Sequence, residues 1–448
     1  MLIYDYSNLI EENIGKEGLP SNFLETNKEL LQEIDNEIKA KRQDGSFGFM
    51  ELPFHQPELN EIKKIASDAQ GKWENIIVLG IGGSSLGAMA IHQALHHHFY
   101  NLLNAEKRNG YPKVFFMDNI DPELVQGILE VIDIKHTLFL VISKSGKTAE
   151  TLSHFLFFLE KVRKEGNPIK QIIILTDPEK GPLREIADNE GFRAFSIPPN
   201  VGGRYSVLSA VGLVPAALLG IDIDALLAGA RAMANRCETV KNPAYLFALI
   251  QFLFLQKGKN IHVMFPYAQA LLGMTDWWRQ LWAESLGKEG KGPTPVKALG
   301  VTDQHSQLQL YMDGPRDKII TFITVKDYRN EVFIPHSFKD FPDLAYLGGH
   351  PFNALIQAEQ LATEAALTKA SCPNSKIVLD NIDAFTLGEF IYCLELATVS
   401  CGLLLEINPI NQPGVELGKR YARALMGEPN FQEEKKEIET LKCIHAKV

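Results

Sequence analysis

The stretch "NIIVLGIGGSSLGAMA", residues 75–90, decides the fold. It opens on an apolar, β-branched run with no polar alternation, the pattern of a strand buried on both faces. A Gly/Ser-rich turn follows, then a segment of helical period. The same unit recurs at "KVFFMD" from Lys113, "TLFLVIS" from Thr137 and "QIIILTD" from Gln171. Strands that alternate with helices in this way predict a parallel sheet in an α/β layer fold. A second series runs through "NIHVMFPYA" from Asn260, "VKALGV" from Val296, "KIITFITV" from Lys318 and "KIVLDNI" from Lys376. The expectation is an α/β protein of two doubly wound sandwich domains, with mainly parallel sheets and helical N- and C-terminal extensions. Its parts are a helical segment over 1–70, a first α/β domain over 71–220 and a helical bridge over 221–258. A second α/β domain follows over 259–425, with a C-terminal helix over 426–448.

The 448 residues are 45 % hydrophobic and 22 % charged, as in ordinary soluble globular proteins. A formal net charge of −10 argues against bulk attraction to nucleic acid or anionic membranes. It leaves an anionic small substrate open, because a pocket needs only a few placed cations. No run approaches twenty apolar residues, so no membrane span is expected. The opening "MLIYDYSNLIEENIG" lacks the basic-then-apolar pattern of a signal peptide. Cys237, Cys372, Cys393, Cys401 and Cys443 are scattered without metal spacing, which suits free thiols in a reducing cytoplasm.

Two loops invite a phosphate. After the first strand stand Gly80, Gly82, Gly83, Ser84, Ser85 and Gly87. The dinucleotide pattern Gly-x-Gly-x-x-Gly fails where Ser85 stands, and no acidic residue follows at the required distance. In "VISKSGKTAET", residues 141–151, Gly-Lys-Thr suggests a nucleotide loop, yet the first glycine of that motif falls on Val141, inside the strand. What remains is the hydroxyls of Ser143, Ser145 and Thr148, the cation of Lys144, and Gly146, at a strand-to-helix turn. Free N–H groups and the helix dipole favour an anion there. A capped helix start without a ligand uses single residues of the same type. Four such groups in six residues, beside a second Gly/Ser loop, favour one monophosphate held between the two.

Further along, "NVGGRYSVLSAVGLVP" sets Gly202 and Gly203 before Arg204 and then turns almost wholly apolar, so the guanidinium is expected to be buried. In "GMTDWWRQLWAESLGKEGKG", Gln280 and Glu284 are four apart and share a helix face. Aromatic packing by Trp277, Trp278 and Trp282 would raise the carboxyl toward a useful base, although most helix carboxylates are simply solvated. "TDQHSQLQLYMDGP" offers His305, although a lone histidine is by itself more often structural than catalytic. His96, His97 and His98 look metal-like, but neighbours on a helix point apart, and they read as partly exposed helix. "INPINQPGVELGKRYA" offers Gln412, Gly414, Glu416 and Lys419 around a Pro-Gly turn.

The blocks "GIGGSSLG", "SKSGKTAET", "GGRYSVLSAVGL", "WWRQLWAESLGKEG", "DQHSQLQLY" and "NQPGVELGK" together resemble the glucose-6-phosphate (phosphoglucose) isomerase family, in that family's order and over about residues 75–425. The resemblance implies two sugar-isomerase (SIS) domains and a cytoplasmic homodimer. It implies metal-free and cofactor-free interconversion of glucose 6-phosphate and fructose 6-phosphate through a cis-enediol. Glu284 then matches the base that moves a proton between C1 and C2, and Arg204 the cation that stabilises the enediolate. Lys419 and His305 match ring-opening residues, with the histidine supplied by the neighbouring subunit. Gln280 and Gln412 match substrate-positioning amides. Ser84, Ser143, Lys144, Ser145 and Thr148, with Gly83 and Gly203, match the substrate-binding set. Lys147 departs from the family's usual Thr. Two alternatives stay beside this reading, a dual phosphoglucose/phosphomannose isomerase and a non-catalytic sugar-phosphate-binding regulator.

Overall fold

In the computed structural model, which describes residues 1–441, two five-stranded sheets carry the fold. The opening segment gives β1 (Ile3–Asp5), α1 (Lys28–Gln43) and α2 (Leu59–Ala69). The first sheet is built in sequence from β2 (Asn75–Leu79), α3 (Leu86–Leu95), β3 (Lys113–Met117), α4 (Pro122–Val131) and β4 (Thr137–Ile142). It is completed by α5 (Ala149–Glu165), β5 (Ile172–Thr176), α6 (Pro182–Glu190) and β6 (Arg193–Ser196). Its order is β3-β2-β4-β5-β6, all parallel. The three central strands are buried at every position, whereas edge strands β3 and β6 are partly open. That is why the central runs read as unbroken apolar stretches. As expected from its sequence, α4 starts with Asp121 as N-cap, its carboxylate accepting from the Glu123 N–H, and Pro122 at the first position.

Helices α7 (Ala210–Leu218), α8 (Ile223–Arg236) and α9 (Pro243–Gln256) lead to the second sheet. That sheet collects β7 (Ile261–Pro266), α10 (Leu272–Leu286), β8 (Thr294–Lys297), β9 (Lys318–Val325), α11 (Phe352–Lys369), β10 (Asn374–Leu379) and α12 (Ala384–Leu404). Its order is β1-β10-β9-β7-β8. Only β1 is antiparallel, with Ile3 opposite Val378. The chain closes with α13 (Glu416–Leu425) and α14 (Gln432–Thr440). Residues 442–448, including Cys443 and the end of the expected C-terminal helix, lie outside the described residues.

Three expectations change. The segment 1–70 is not helical throughout, because its first residues add a strand to the edge of the second sheet. Three residues are too few to show a period of two, and the partner of that strand lies in the second half of the chain. β6 was also unannounced, being a four-residue edge strand. The histidine run is not helix: α3 ends at Leu95, His96 caps it in an extended conformation, and His96 meets His92 ring to ring, Nδ1 to Nδ1 at 3.0 Å. Burial pushes the His92 pKa down to about 3, so this pair is a neutral packing feature. Among the described residues no group of His, Cys, Asp and Glu is placed to hold a metal.

One apolar core runs between the sheets and takes side chains from both, while each outer face has its own cluster. Helix α12 is the axis of that core. It is long and apolar enough to cross a membrane, but 94 % of its apolar window is buried inside the protein. α12 lies backbone to backbone on α8, where a Cβ on Gly388 would come within 2.0 Å of the Leu226 carbonyl oxygen. The glycine at that crossing is therefore a packing requirement. The helices read as a bridge are thus packed interior structure.

Candidate active site

β2 and β4 lie side by side with Leu79 opposite Val141, so the loops over 80–85 and 143–148 leave the sheet together. From β2 the chain winds first to β3 on one side and then to β4 on the other. The crevice outside the strand ends at such a reversal is where open α/β sheets bind ligands. In the second sheet the corresponding reversal lies between β7 and β9. There the Tyr328 hydroxyl donates to the Tyr267 carbonyl at 2.5 Å, tying the two strand-end loops together.

In the 143–148 loop the hydroxyls of Ser143 and Thr148 share a hydrogen bond of 2.9 Å. The Lys147 N–H donates to Ser145 Oγ at 3.2 Å, and Gly146 takes φ of +64°, which closes the turn. Thr148 is the N-cap of the 17-residue α5, yet its side chain does not cap the helix. Hydroxyls and first-turn N–H groups therefore gather at one place. Lys144 is not among them: its amine donates to the Pro199 carbonyl at 2.7 Å. Burial lowers its pKa, with Asp177 opposing. The Lys147 side chain is exposed, while its carbonyl accepts from Arg423 at 3.4 Å.

The second loop makes a tight turn over Gly82–Ser84 and touches the turn over Gly203–Tyr205. A Cβ on Gly83 would lie 2.3 Å from the Gly203 carbonyl carbon, so only glycine allows this contact. Gly82 has φ of +58°, and a Cβ there would meet Gln280 Nε2 at 2.9 Å. The first strand's loop, the Gly-Gly-Arg turn and α10 therefore converge.

Arg204 is the hub of that convergence. Its side chain is 1 % exposed. Nε donates to Ser285 Oγ at 2.7 Å, and Nη2 faces the carbonyls of Pro409, Ile410 and Asn411 at 2.5, 3.0 and 3.2 Å. Nη1 donates to Gln412 Oε1 at 2.9 Å and, more loosely, to Glu284 Oε2 at 3.5 Å. Tyr205 reinforces the set through a 2.8 Å bond between its hydroxyl and Ser285 Oγ. The guanidinium is held along every edge, and its longest contact is the one to Glu284. A fixed cation with one slack edge is suited to receive developing negative charge without reorganising.

Glu284 lies on α10 with its side chain 31 % exposed, and its Oε1 accepts from Gln280 Nε2 at 3.1 Å, as the spacing of four predicts. Trp278 and Trp282 are not its neighbours. The two meet ring to ring at a tilt of 31°, and Trp282 packs on Phe247 and His262. Glu284 comes two residues after Trp282, on the far side of the helix. In place of desolvation by all three rings, the carboxylate is partly open to water and pairs with Arg204. Sequence reasoning missed Ser285 and the carbonyls of 409–411. Ser285 was detectable as a small polar residue on the tryptophan face, but backbone carbonyls leave no sequence signal.

His305 and Lys419 stand apart. His305 is exposed at the end of a short turn, Thr302–His305. Lys419 is exposed on α13 and donates to Glu416 at 2.8 Å. α13 starts just beyond Gln412 and carries Arg423, four residues after Lys419 and on the same face, to the 143–148 loop. Lys419 is thus on the face directed to that loop. A separate hollow of about 560 Å³ is lined by Glu61, Asp68, Lys72, Trp73 and Arg193; its Glu61–Arg193 pair, 3.9 Å apart, is open to solvent on both sides, unlike the buried Arg204.

An α/β enzyme that performs acid–base chemistry on an anionic substrate is the class defined by this fold and geometry. The chain belongs to the phosphoglucose isomerase family, whose model matches residues 62–339 and 346–441. It is 46 % identical to the glucose-6-phosphate isomerase of Carboxydothermus hydrogenoformans, over 97 % of this chain and 96 % of that one. It is 42 % identical to that of Rubrobacter xylanophilus, covering 96 % and 99 %. Among solved structures it resembles a hypothetical protein of Thermus thermophilus, with a TM-score of 0.84, 33 % identity, and 95 % and 100 % coverage. A glucose-6-phosphate isomerase of Chlamydia trachomatis shares the fold, with a TM-score of 0.71, 23 % identity, and 86 % and 76 % coverage.

Proposed function

We infer that this chain interconverts glucose 6-phosphate and fructose 6-phosphate, with Glu284 transferring a proton between C1 and C2. The observation that carries this is the carboxylate set against an anchored guanidinium, Glu284 Oε2 to Arg204 Nη1 at 3.5 Å. A C–H beside a carbonyl is weakly acidic, so its removal is fast only where the enediolate is stabilised as it forms. Glu284 takes the proton from C2 of the open-chain aldose. Charge passes to the oxygen on C1, and the slack contact of Arg204 turns from carboxylate to enediolate. The proton of the C2 hydroxyl moves to the C1 oxygen, and the same carboxyl returns its proton to C1 as the C2 carbonyl forms. Gln280 holds the carboxylate oxygen, and Gln412 accepts from the same Nη1 of Arg204 that faces Glu284.

The phosphate sits among Ser143, Ser145, Thr148 and Ser84 at the switch-point crevice. Its binding positions the reacting carbons. Gly83 and Gly203 contribute by letting the two loops meet. Lys419 and His305 serve ring opening, and both reach the sugar only on completion of the site. For His305 that completion is a second subunit, since it is exposed and stands apart from Glu284 in its own chain. The exposed Phe333, Phe338, Phe341, Tyr346 and Phe352 support a dimer. Four buried free cysteines suit the cytoplasm.

The direct test follows conversion of fructose 6-phosphate by coupled assay, with mannose 6-phosphate in parallel. Turnover of the fructose ester is expected, and none would refute the assignment. Dimeric sharing is tested by mixing Glu284→Gln and His305→Ala chains under subunit exchange. If the histidine is shared, each mixed dimer holds one site with both residues intact and activity returns. Two inactive homodimers that stay inactive on mixing would place His305 in its own subunit's site.

A further inference from the structure

The turn after α10 repeats a cation, with Lys288 and Lys291 in "GKEGKG" at 287–292. It folds back on the helix end, where a Cβ on Gly292 would come within 2.2 Å of the Leu286 carbonyl oxygen. Lys288 and Lys291 face each other across a one-pair bridge. Both amines reach the segment that supplies the carbonyls around Arg204. Lys291 Nζ donates to the Leu405 carbonyl at 2.9 Å, and Lys288 Nζ donates to the Asn408 carbonyl. Asn408 in turn shapes the strap, its Oδ1 accepting from the Ile410 N–H at 2.9 Å. Next along the chain come the three carbonyls and the Gln412 amide that hold the guanidinium.

We propose that Lys288 is a positioning residue of the isomerisation, pinning the 408–412 strap to Arg204 and setting a second positive charge beside the Arg204–Glu284 pair. Lys288 follows Glu284 by four residues, just past the end of α10, and is half-buried. The charged groups facing it are Arg204, Glu284, Glu289 and, across the bridge, Lys291, and the strap itself carries no titratable side chain. Burial and the neighbouring Arg204 bring the amine pKa down to about 8, against the pull of Glu284 and Glu289. The ammonium is therefore present at neutral pH and lost as pH rises through about 8. With it go a donor to the strap and part of the field that favours an enediolate. Lys291, tied further from Arg204, serves as the comparison.

This inference rests on the isomerase reading, and the experiment separates the two. Steady-state kinetics are run across a pH range of about 6–10 on the wild type, Lys288→Met, Lys288→Arg and Lys291→Met. Expected for Lys288→Met is a fall in kcat of about 10- to 100-fold with KM changed less than about 3-fold, since the loss falls on transition-state charge. Lys288→Arg, which keeps a long cationic donor, restores most of kcat and moves the alkaline fall upward by about one pH unit or more. Lys291→Met changes kcat by less than about 3-fold. An active wild type whose Lys288→Met kcat stays within about 3-fold would overturn the proposal alone. So would a Lys288→Arg profile with an unmoved alkaline limb, even if Lys288→Met failed to fold. A wild type inactive on fructose 6-phosphate would overturn both.

Discussion

Glu284→Gln lowers kcat for isomerisation by about 10³- to 10⁴-fold, the upper part of what a positioned general base supplies, while substrate affinity stays within about 3-fold. The substitution is nearly isosteric and replaces a proton acceptor with an amide. Gln280 keeps a carbonyl to donate to, and Arg204 keeps Ser285, Gln412 and three backbone carbonyls. The site should therefore stay assembled and the chain stay folded. The measurements are coupled kinetics in both directions, calorimetric binding of the sugar phosphate, and solvent deuterium exchange at C1 and C2 followed by NMR. Exchange that survives in Glu284→Gln at more than roughly a tenth of the wild-type rate would show that another group moves the proton. Loss of binding together with loss of turnover would instead mean that the carboxylate positions substrate.

What could be read in the sequence was whatever depends on near neighbours in the chain. The strands Asn75–Leu79, Thr137–Ile142 and Ile172–Thr176 are buried on both faces, so their apolar runs have no competing interpretation. The two Gly/Ser loops were legible as strand-end turns because a strand end, a turn and a helix start are contiguous in sequence. Their joining into one crevice followed from the expected parallel sheet. Gln280 and Glu284 share a helix face by spacing alone. What could not be read depends on distant partners. The strand Ile3–Asp5 exists only because β10 is there to pair with it. Trp278 and Trp282 were misjudged as neighbours of Glu284 because proximity in sequence is not proximity in space, two residues along a helix being a turn of about 200°. The surroundings of Arg204 were hidden most deeply, because carbonyls at the other end of the chain hold it and any residue type supplies a carbonyl. Lys419 shows the converse. Its motif is plain in the sequence, yet the chain by itself leaves the amine exposed beside Glu416.

Arg204→Lys is expected to cost both activity and stability, and that pairing separates it from Glu284→Gln. A lysine keeps the charge but presents three donors from one point in place of a planar fork. It cannot serve Ser285, the Gln412 amide and the carbonyls of 409–411 at once. Carbonyls left without a donor at a buried site each cost about 1–3 kcal/mol, so a loss of about 2–4 kcal/mol in unfolding free energy is expected where one or two go unpaired. The strap then loosens, Gln412 drifts, and the cation no longer meets the enediolate at a fixed distance. A further fall in kcat of about 10²- to 10³-fold follows, the scale of removing one preorganised donor from an oxyanion site. Urea denaturation read by tryptophan fluorescence gives the first quantity, aided by Trp277, Trp278 and Trp282 in the adjoining helix. Steady-state kinetics give the second. Glu284→Gln should leave the denaturation midpoint nearly unchanged, because the Arg204–Glu284 contact is the longest of the set and the carboxylate is partly open to water. An Arg204→Lys protein of wild-type stability, but with the same kinetic loss, would show that the strap is held by Lys288 without the guanidinium. Arg204 would then act on the substrate alone.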